Sequence, residues 1–283
     1  MKSFRALDLL RQQCLVSATP DFRQVIRDRS RRSLKRLPRD REIMRRICVA
    51  IAYSQGARSA QIEKLIAAPV FRIAFADFNP AALAKRKPDI ILKKYWSQLG
   101  HFRFKGKIRQ IVQCAQALNG IKRDHGSFAR YLQRFQIPQR IRTTKQLDQF
   151  WAQFDALQQD LQHREMPFFR STTSLLQLLL DLDFDSVKPD LIVMRLARRL
   201  DIVARETGDR TLRQCVRFLQ EYSIKNSCRA AELDWALLAF GGQSGAGQSL
   251  TQKFCPASDP CHHAACEIGK NRLCVAHKLF RRG

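Results

Sequence analysis

The chain reads as helical throughout, on three observations. Apolar residues recur at helical spacing in one stretch after another, from Phe4, Leu7 and Leu10 near the start to Leu147, Phe150, Trp151, Phe154, Leu157 and Leu161. Side chains that satisfy the free N–H groups of a first turn, as Ser171, Thr172, Thr173 and Asp190 do, stand where such patterns begin. Leu175, Leu176, Leu178, Leu179 and Leu180 make one segment apolar nearly all round, which is the pattern of a helix enclosed by others. With 283 residues and 45% hydrophobic content, the chain holds enough apolar material for a sizeable core in one or two closely packed subdomains.

Residues 1–46 form the most basic segment, and DFRQVIRDRSRRSLKRLPRDREIMRR is the basic run at its heart. Phe22, Val25, Ile26 and Leu34 keep helical spacing through it, which predicts a segment that packs on the body and offers arginines to phosphates. From Arg39 a helix pattern runs through Ile43, Ile47, Ala50 and Ile51 and stops at Tyr53-Ser54-Gln55-Gly56, glycine being a common helix stop. Ser59 opens another helix through Ile62, Leu65 and Ile66, and Phe71, Phe75 and Phe78 read as core. A helix ending at Tyr95-Trp96-Ser97-Gln98-Leu99-Gly100 turns tightly into the next, through Ile108, Ile111, Val112, Ala115 and Leu118. Lys105 and Lys107 stand at its start, where a phosphate is favoured. A short FARYLQRF helix and the basic turn Pro138-Gln139-Arg140-Ile141-Arg142 precede the helix of Leu147 to Leu161.

That helix leads into Met166–Arg199, which comprises a turn, the leucine-rich helix, a second turn carrying Lys188-Pro189-Asp190, and a helix from Leu191 to Leu200. Taken alone, Asp190 is a helix N-cap. Taken with its neighbourhood, the stretch resembles the helix-hairpin-helix DNA glycosylase superfamily, which includes endonuclease III, the adenine glycosylase MutY and the 3-methyladenine DNA glycosylase I branch. The YWSQLGHFRFKGK segment and the residues from Pro69 to Asp89 resemble it too. The resemblance implies an all-α, two-lobed fold. A six-helix barrel-like domain would span 45–185. A second helical lobe would be built from both termini, 1–44 and 186–283, and carry a metal-cluster loop.

On that resemblance Asp190 is the catalytic carboxylate, with Val187, Ile192 and Val193 seating its loop. Gln55 plugs the space left by an extruded base, and Tyr53, with Ser54 beside it, walls the base pocket. Lys105, Lys107, Arg170, Ser171, Thr172 and Lys188 complete the DNA-contacting set. The family's hairpin is glycine-rich, whereas here Phe168-Phe169-Arg170-Ser171 takes its place, so Arg170 and the following helix N-terminus would meet the phosphate. Thr172 stands where bifunctional members carry a Schiff-base lysine, which implies a monofunctional hydrolase.

Fifty-one Lys and Arg against twenty-five Asp and Glu give a net charge of +26, the signature of a polyanionic partner. Double-stranded DNA is the partner expected, acted on by a monomeric protein of the cytoplasm, with no membrane-spanning run or cleavable signal sequence in view. Cys14, Cys48, Cys114, Cys215 and Cys228 are scattered through helical patterns. Cys255, Cys261, Cys266 and Cys274, with five, four and seven residues between them, read as a metal loop. Four thiolates suit a [4Fe–4S] cluster, placed as in endonuclease III and MutY, or zinc with His262, His263 or His277 replacing a ligand. The activity expected is hydrolytic excision of an alkylated purine or of a bulky modified base of phage DNA. A non-catalytic DNA-binding protein, an abasic-site lyase using Lys188, and an RNA-binding module with a structural zinc loop are the other readings these residues allow.

Overall fold

A computed structural model describes residues 2–31, 37–242, 250–251, 254–255 and 266–275. Among them are fifteen α-helices and no strand; the single β-type contact is an isolated bridge between Ala18 and Leu250. The helices are α1 (Lys2–Ser17), α2 (Pro20–Arg31), α3 (Asp40–Tyr53), α4 (Ser59–Ala67), α5 (Pro69–Ala74), α6 (Pro80–Ala84), α7 (Pro88–Leu99) and α8 (Gly106–His125). Then come α9 (Phe128–Gln133), α10 (Thr144–His163), α11 (Thr172–Asp181), α12 (Leu191–Arg199), α13 (Asp209–Lys225), α14 (Ala230–Phe240) and α15 (Glu267–Lys270). Short 3₁₀ turns occupy Ala76–Phe78, Gly100–Phe102 and Phe168–Arg170.

The described residues fall into two compact units. One takes those of Met1–Ser33, Pro138–Asp148 and Asp183–Gly283; the other takes those of Leu34–Ile137 and Gln149–Leu182. These bounds differ from 1–44, 45–185 and 186–283 at three places, residues 34–44, 138–148 and 183–185. The second unit receives the whole of α3, because Ile43, Ile47 and Ile51 are fully buried along a helix that packs on α8. Residues 138–148 go with the first unit, because buried Asp185 accepts the Ile141 N–H at 3.1 Å.

The second unit is organised around α8, whose Ile108, Ile111, Val112, Ala115, Leu118 and Ile121 are buried against α3, α6, α7 and α9. Phe71, Phe75 and Phe78 are core as expected, joined by Phe102, which stacks on Phe71 at 6.1 Å between ring centroids. In α11 the five leucines are at most 3% exposed, and each such burial contributes roughly 1.5–3 kcal/mol over leaving the side chain in water. The helix packs on α3, and Arg46 of α3 donates to the Asp181 carbonyl at its C-terminal end.

The first unit wraps α1, α2, α12 and α13 around α14. The inner face of α14 buries Ala230, Leu233, Asp234, Leu237 and Phe240, and the Cys14 thiol of α1 donates to the Ala236 carbonyl at 3.5 Å. No helix of the described residues is long and apolar enough to cross a membrane.

Candidate active site

The turn after α3 is built outward from the last carbonyls of the helix. Ser54 closes α3 by directing its hydroxyl and its N–H to the Ile51 carbonyl, at 2.7 and 3.2 Å. Gln55 and Gly56 then take left-handed backbone, with φ of +55° and +67°. Glycine adopts that conformation freely and glutamine does not, so the surrounding structure must hold it. Two cations do so. Lys107 Nζ donates to the Ala52 and Ser54 carbonyls at 3.0 and 2.7 Å, and Arg103 Nη1 donates to the Gly56 carbonyl at 2.5 Å. Gln55 itself is exposed, with Tyr53 and Ser54 half-buried beside it. Burial, and then the charge of Glu63, push the Tyr53 hydroxyl above its ordinary pKa.

Lys107 corrects the sequence reading. It is 1% exposed and hydrogen-bonded to carbonyls, so it cannot serve as the phosphate contact expected at the start of α8. The physical reason is register, since Lys107 lies on the same helix face as Ile111 and Leu118. That stripe was the signal in the sequence that could have revealed it. Lys105, one position before the helix, stays exposed with its ammonium 6.0 Å from the Trp96 ring centre.

The hairpin is a 3₁₀ turn built over a fully buried Phe169, against which Phe168 packs edge-on with ring centroids 5.1 Å apart. Arg170 and Ser171 are exposed. The Ser171 hydroxyl accepts the Ser174 N–H at 3.3 Å, capping α11, and the Arg170 carbonyl accepts from Gln158 Nε2 at 2.8 Å. Thr172, also expected to face DNA, is 2% exposed and belongs to the interior of α11, a second correction of the same kind.

Asp190 lies in the other unit, at the end of a loop whose residues 182–187 are all buried. Its Oδ1 accepts the N–H groups of Ile192 and Val193 at 3.0 and 3.1 Å, the N-cap geometry the sequence predicts. Its Oδ2 lies 3.8 Å from Lys188 Nζ, and the side chain keeps 22% of its surface open. Oδ1 therefore caps α12, and Oδ2 faces Lys188.

What holds this loop is a set of buried ions that sequence reasoning missed. The Lys188 N–H donates to Asp234 Oδ1 at 2.8 Å. Asp185 Oδ1 accepts from Arg229 Nε at 2.9 Å, Asp183 Oδ1 from Arg229 Nη1 at 3.0 Å, and the Asp185 carbonyl from Gln220 Nε2 at 2.9 Å. Burial raises the Asp185 carboxyl to about 6, against the opposing pull of the Ile141 N–H and Arg140; it is still the carboxylate at neutral pH. The visible signals were two acids inside the apolar stretch Leu182–Val187 and a third, Asp234, in the middle of an apolar helix.

Of the cysteine loop, Cys255, Cys266 and Cys274 are described; Cys261 lies outside the described residues, as do His262, His263 and His277. None of the three is in a disulfide, and Cys255 and Cys266 are 5% and 4% exposed. Burial raises the pKa of Cys266, and the charges of Cys255 and Cys274 add to the rise, so these sulfurs share one neighbourhood. Arg199 Nη1 donates to Cys255 Sγ at 2.6 Å. Among the described residues no group of three His, Cys, Asp or Glu is arranged to hold a metal ion.

Among the described residues, a turn held by Lys107 and Arg103 belongs to one unit, and a helix-capping carboxylate that is 22% exposed belongs to the other. Residues 38–178 match the family model of the methyladenine glycosylases. That is a family of helical DNA glycosylases, and the matched segment is about half of the chain, from the residue before Arg39 into α11. The matched segment contains the Gln55 turn, Lys105, Lys107 and the hairpin, while Asp190 and the cysteine loop follow it. Neither the curated proteins nor the solved structures hold a match to the chain.

Proposed function

We propose that the protein is a monofunctional DNA N-glycosylase that extrudes an alkylated purine from double-stranded DNA and hydrolyses its glycosidic bond, leaving an abasic site. The observation that carries this reading is the methyladenine glycosylase match over residues 38–178. A bulky modified base of phage DNA is the second substrate class left open by the exposed, non-glycine hairpin.

Extrusion is required because the glycosidic bond cannot be reached inside the stack. In this reading Gln55, held in a strained backbone by Lys107 and Arg103, fills the vacated space, and Tyr53 borders the base. Lys105, Arg170 and Lys188 meet phosphates, supported by the net charge of +26. Glycoside cleavage passes through an oxocarbenium-like state, which a fixed anion stabilises. Asp190 supplies that anion, with Oδ1 tied to two N–H groups and Oδ2 left to face the sugar or orient water.

The test is release of free bases from methylated, deaminated, oxidised, phage-modified and unmodified DNA, read by mass spectrometry. Wild type should release one base that Asp190→Asn does not, with DNA affinity unchanged. Asparagine caps a helix as well as aspartate does, so the variant removes charge and spares the fold. Equal loss of affinity and release would assign Asp190 a capping role alone.

We further infer a [4Fe–4S] cluster on Cys255, Cys261, Cys266 and Cys274, with zinc as the alternative. Cys255 and Cys266, buried and outside any disulfide, and Cys274, whose charge acts on Cys266, support the reading by their chemistry. Such a cluster would be structural, holding the loop in shape.

A further inference from the structure

The turn from α7 into α8 buries one ring and presents another. Phe102 is fully buried, stacked on Phe71, and anchors the turn from inside. Phe104 has 46% of its surface open, and among the described residues it is the one aromatic side chain that is exposed. Its backbone is fixed on both sides. Its own N–H donates to the Phe102 carbonyl at 2.8 Å, and its carbonyl accepts the Lys107 N–H at 3.2 Å. The fold therefore holds this ring open.

Cations stand against the rings here. The Arg103 guanidinium lies 5.6 Å from the Phe104 ring centre, the Lys105 ammonium 6.0 Å from that of half-buried Trp96, and the Lys94 ammonium 5.2 Å from that of half-buried Tyr95. Over Tyr131 and Tyr222, by contrast, Arg164 and Arg11 stand against rings that are already buried. The local sequence supplies no acid to offset the charge. Between Asp89 and Asp124 the chain carries eight Lys and Arg and no Asp or Glu, and those two flanking acids pair with Arg109 and Arg164.

We propose that Phe104 and Trp96 form a platform for unpaired nucleobases, so that the protein binds single-stranded DNA at this turn, with Arg103, Lys105 and Lys94 meeting the phosphates between the bases. Aromatic side chains stack on any base, because every base has a π-face, and cations beside them follow the backbone. In a duplex each base gives its faces to its neighbours and shows only its edges. An unpaired base leaves a face for the ring. Arg103 Nη1 also donates to the Gly56 carbonyl at 2.5 Å, so a strand held here runs beside the exposed Gln55. The choice of DNA as the strand rests on the glycosylase reading; the stacking surface itself does not.

The experiment measures binding of the full-length protein to a thymidine-rich single strand carrying one 2-aminopurine, to the same strand in a duplex, and to an oligouridylate, over a range of salt. In wild type the 2-aminopurine fluorescence should be quenched on binding, as the base stacks. Phe104→Ala and Phe104→Leu should both remove the quenching and weaken the single strand about tenfold, the scale of one lost stacking contact, with the duplex little affected. Leucine keeps an apolar side chain and removes only the ring, so full retention of binding and quenching in Phe104→Leu would overturn the stacking. Lys105→Gln should weaken both DNAs and lower the salt dependence of each by about one phosphate contact. Equal losses for strand and duplex in the Phe104 variants, or no loss at all, would overturn the proposal. Tighter binding of the oligouridylate would make RNA the ligand and overturn the choice of DNA. Strand binding that depends on Phe104, without base release from any DNA, would count against the glycosylase reading and leave the platform standing.

Discussion

Asp190, Gly241 and Lys107 show how single residues carry different amounts of information. Asp190 was legible as a helix cap, because an acid after proline at the start of an amphipathic helix favours that geometry, and Oδ1 adopts it. Gly241 follows α14 directly. A Cβ there would meet Ile192 Cγ2 at 2.3 Å and the Leu237 carbonyl at 3.1 Å, so the missing side chain is what lets α14 end against α12. Gly241→Ala should cost about 1–3 kcal/mol of stability, the usual range for overpacking. It should also displace the first turn of α12, and with it Asp190. Urea denaturation beside base release would show both losses; a neutral effect on stability would mean that Ile192 moves aside freely. Lys107 was misread because a lysine is a surface residue by default, and only its place on the Ile111–Leu118 face argued otherwise.

At the scale of elements, periodicity and caps located helices such as α3, α4, α8, α10, α11 and α12, since burial on one face and free N–H groups at one end are local properties. The leucine helix α11 is the clearest case: Ser171 caps it and its leucines are buried as their pattern predicts. Replacing Ser171 by alanine should cost about 1 kcal/mol, measured by chemical denaturation, because the Ser174 N–H loses its acceptor. An unchanged midpoint would show that the Ser174 hydroxyl bond to the Phe168 carbonyl suffices to start the helix. The loop after α11 was legible only at its end. Its anchors, Arg140, Arg229, Gln220 and Asp234, come from three other segments of the chain, and no window of sequence contains them together.

At the scale of the whole molecule, composition spoke for the partner and the cysteines for a metal. Protein prepared without oxygen should contain about four irons and show visible absorbance, both lost in Cys266→Ala; colourless protein carrying zinc would replace the cluster with a structural zinc site. The sequence by itself determined the helical class, the helix positions, the Asp190 cap and the exposed Gln55 turn, because these follow from spacing, capping and backbone preference within a few residues. It could not determine that residues 138–148 leave their neighbours to join the unit of Asp185, nor which carbonyls Lys107 meets. Those depend on which distant groups meet in the folded chain, where a carbonyl or a carboxylate far along the sequence becomes the nearest partner of a buried charge.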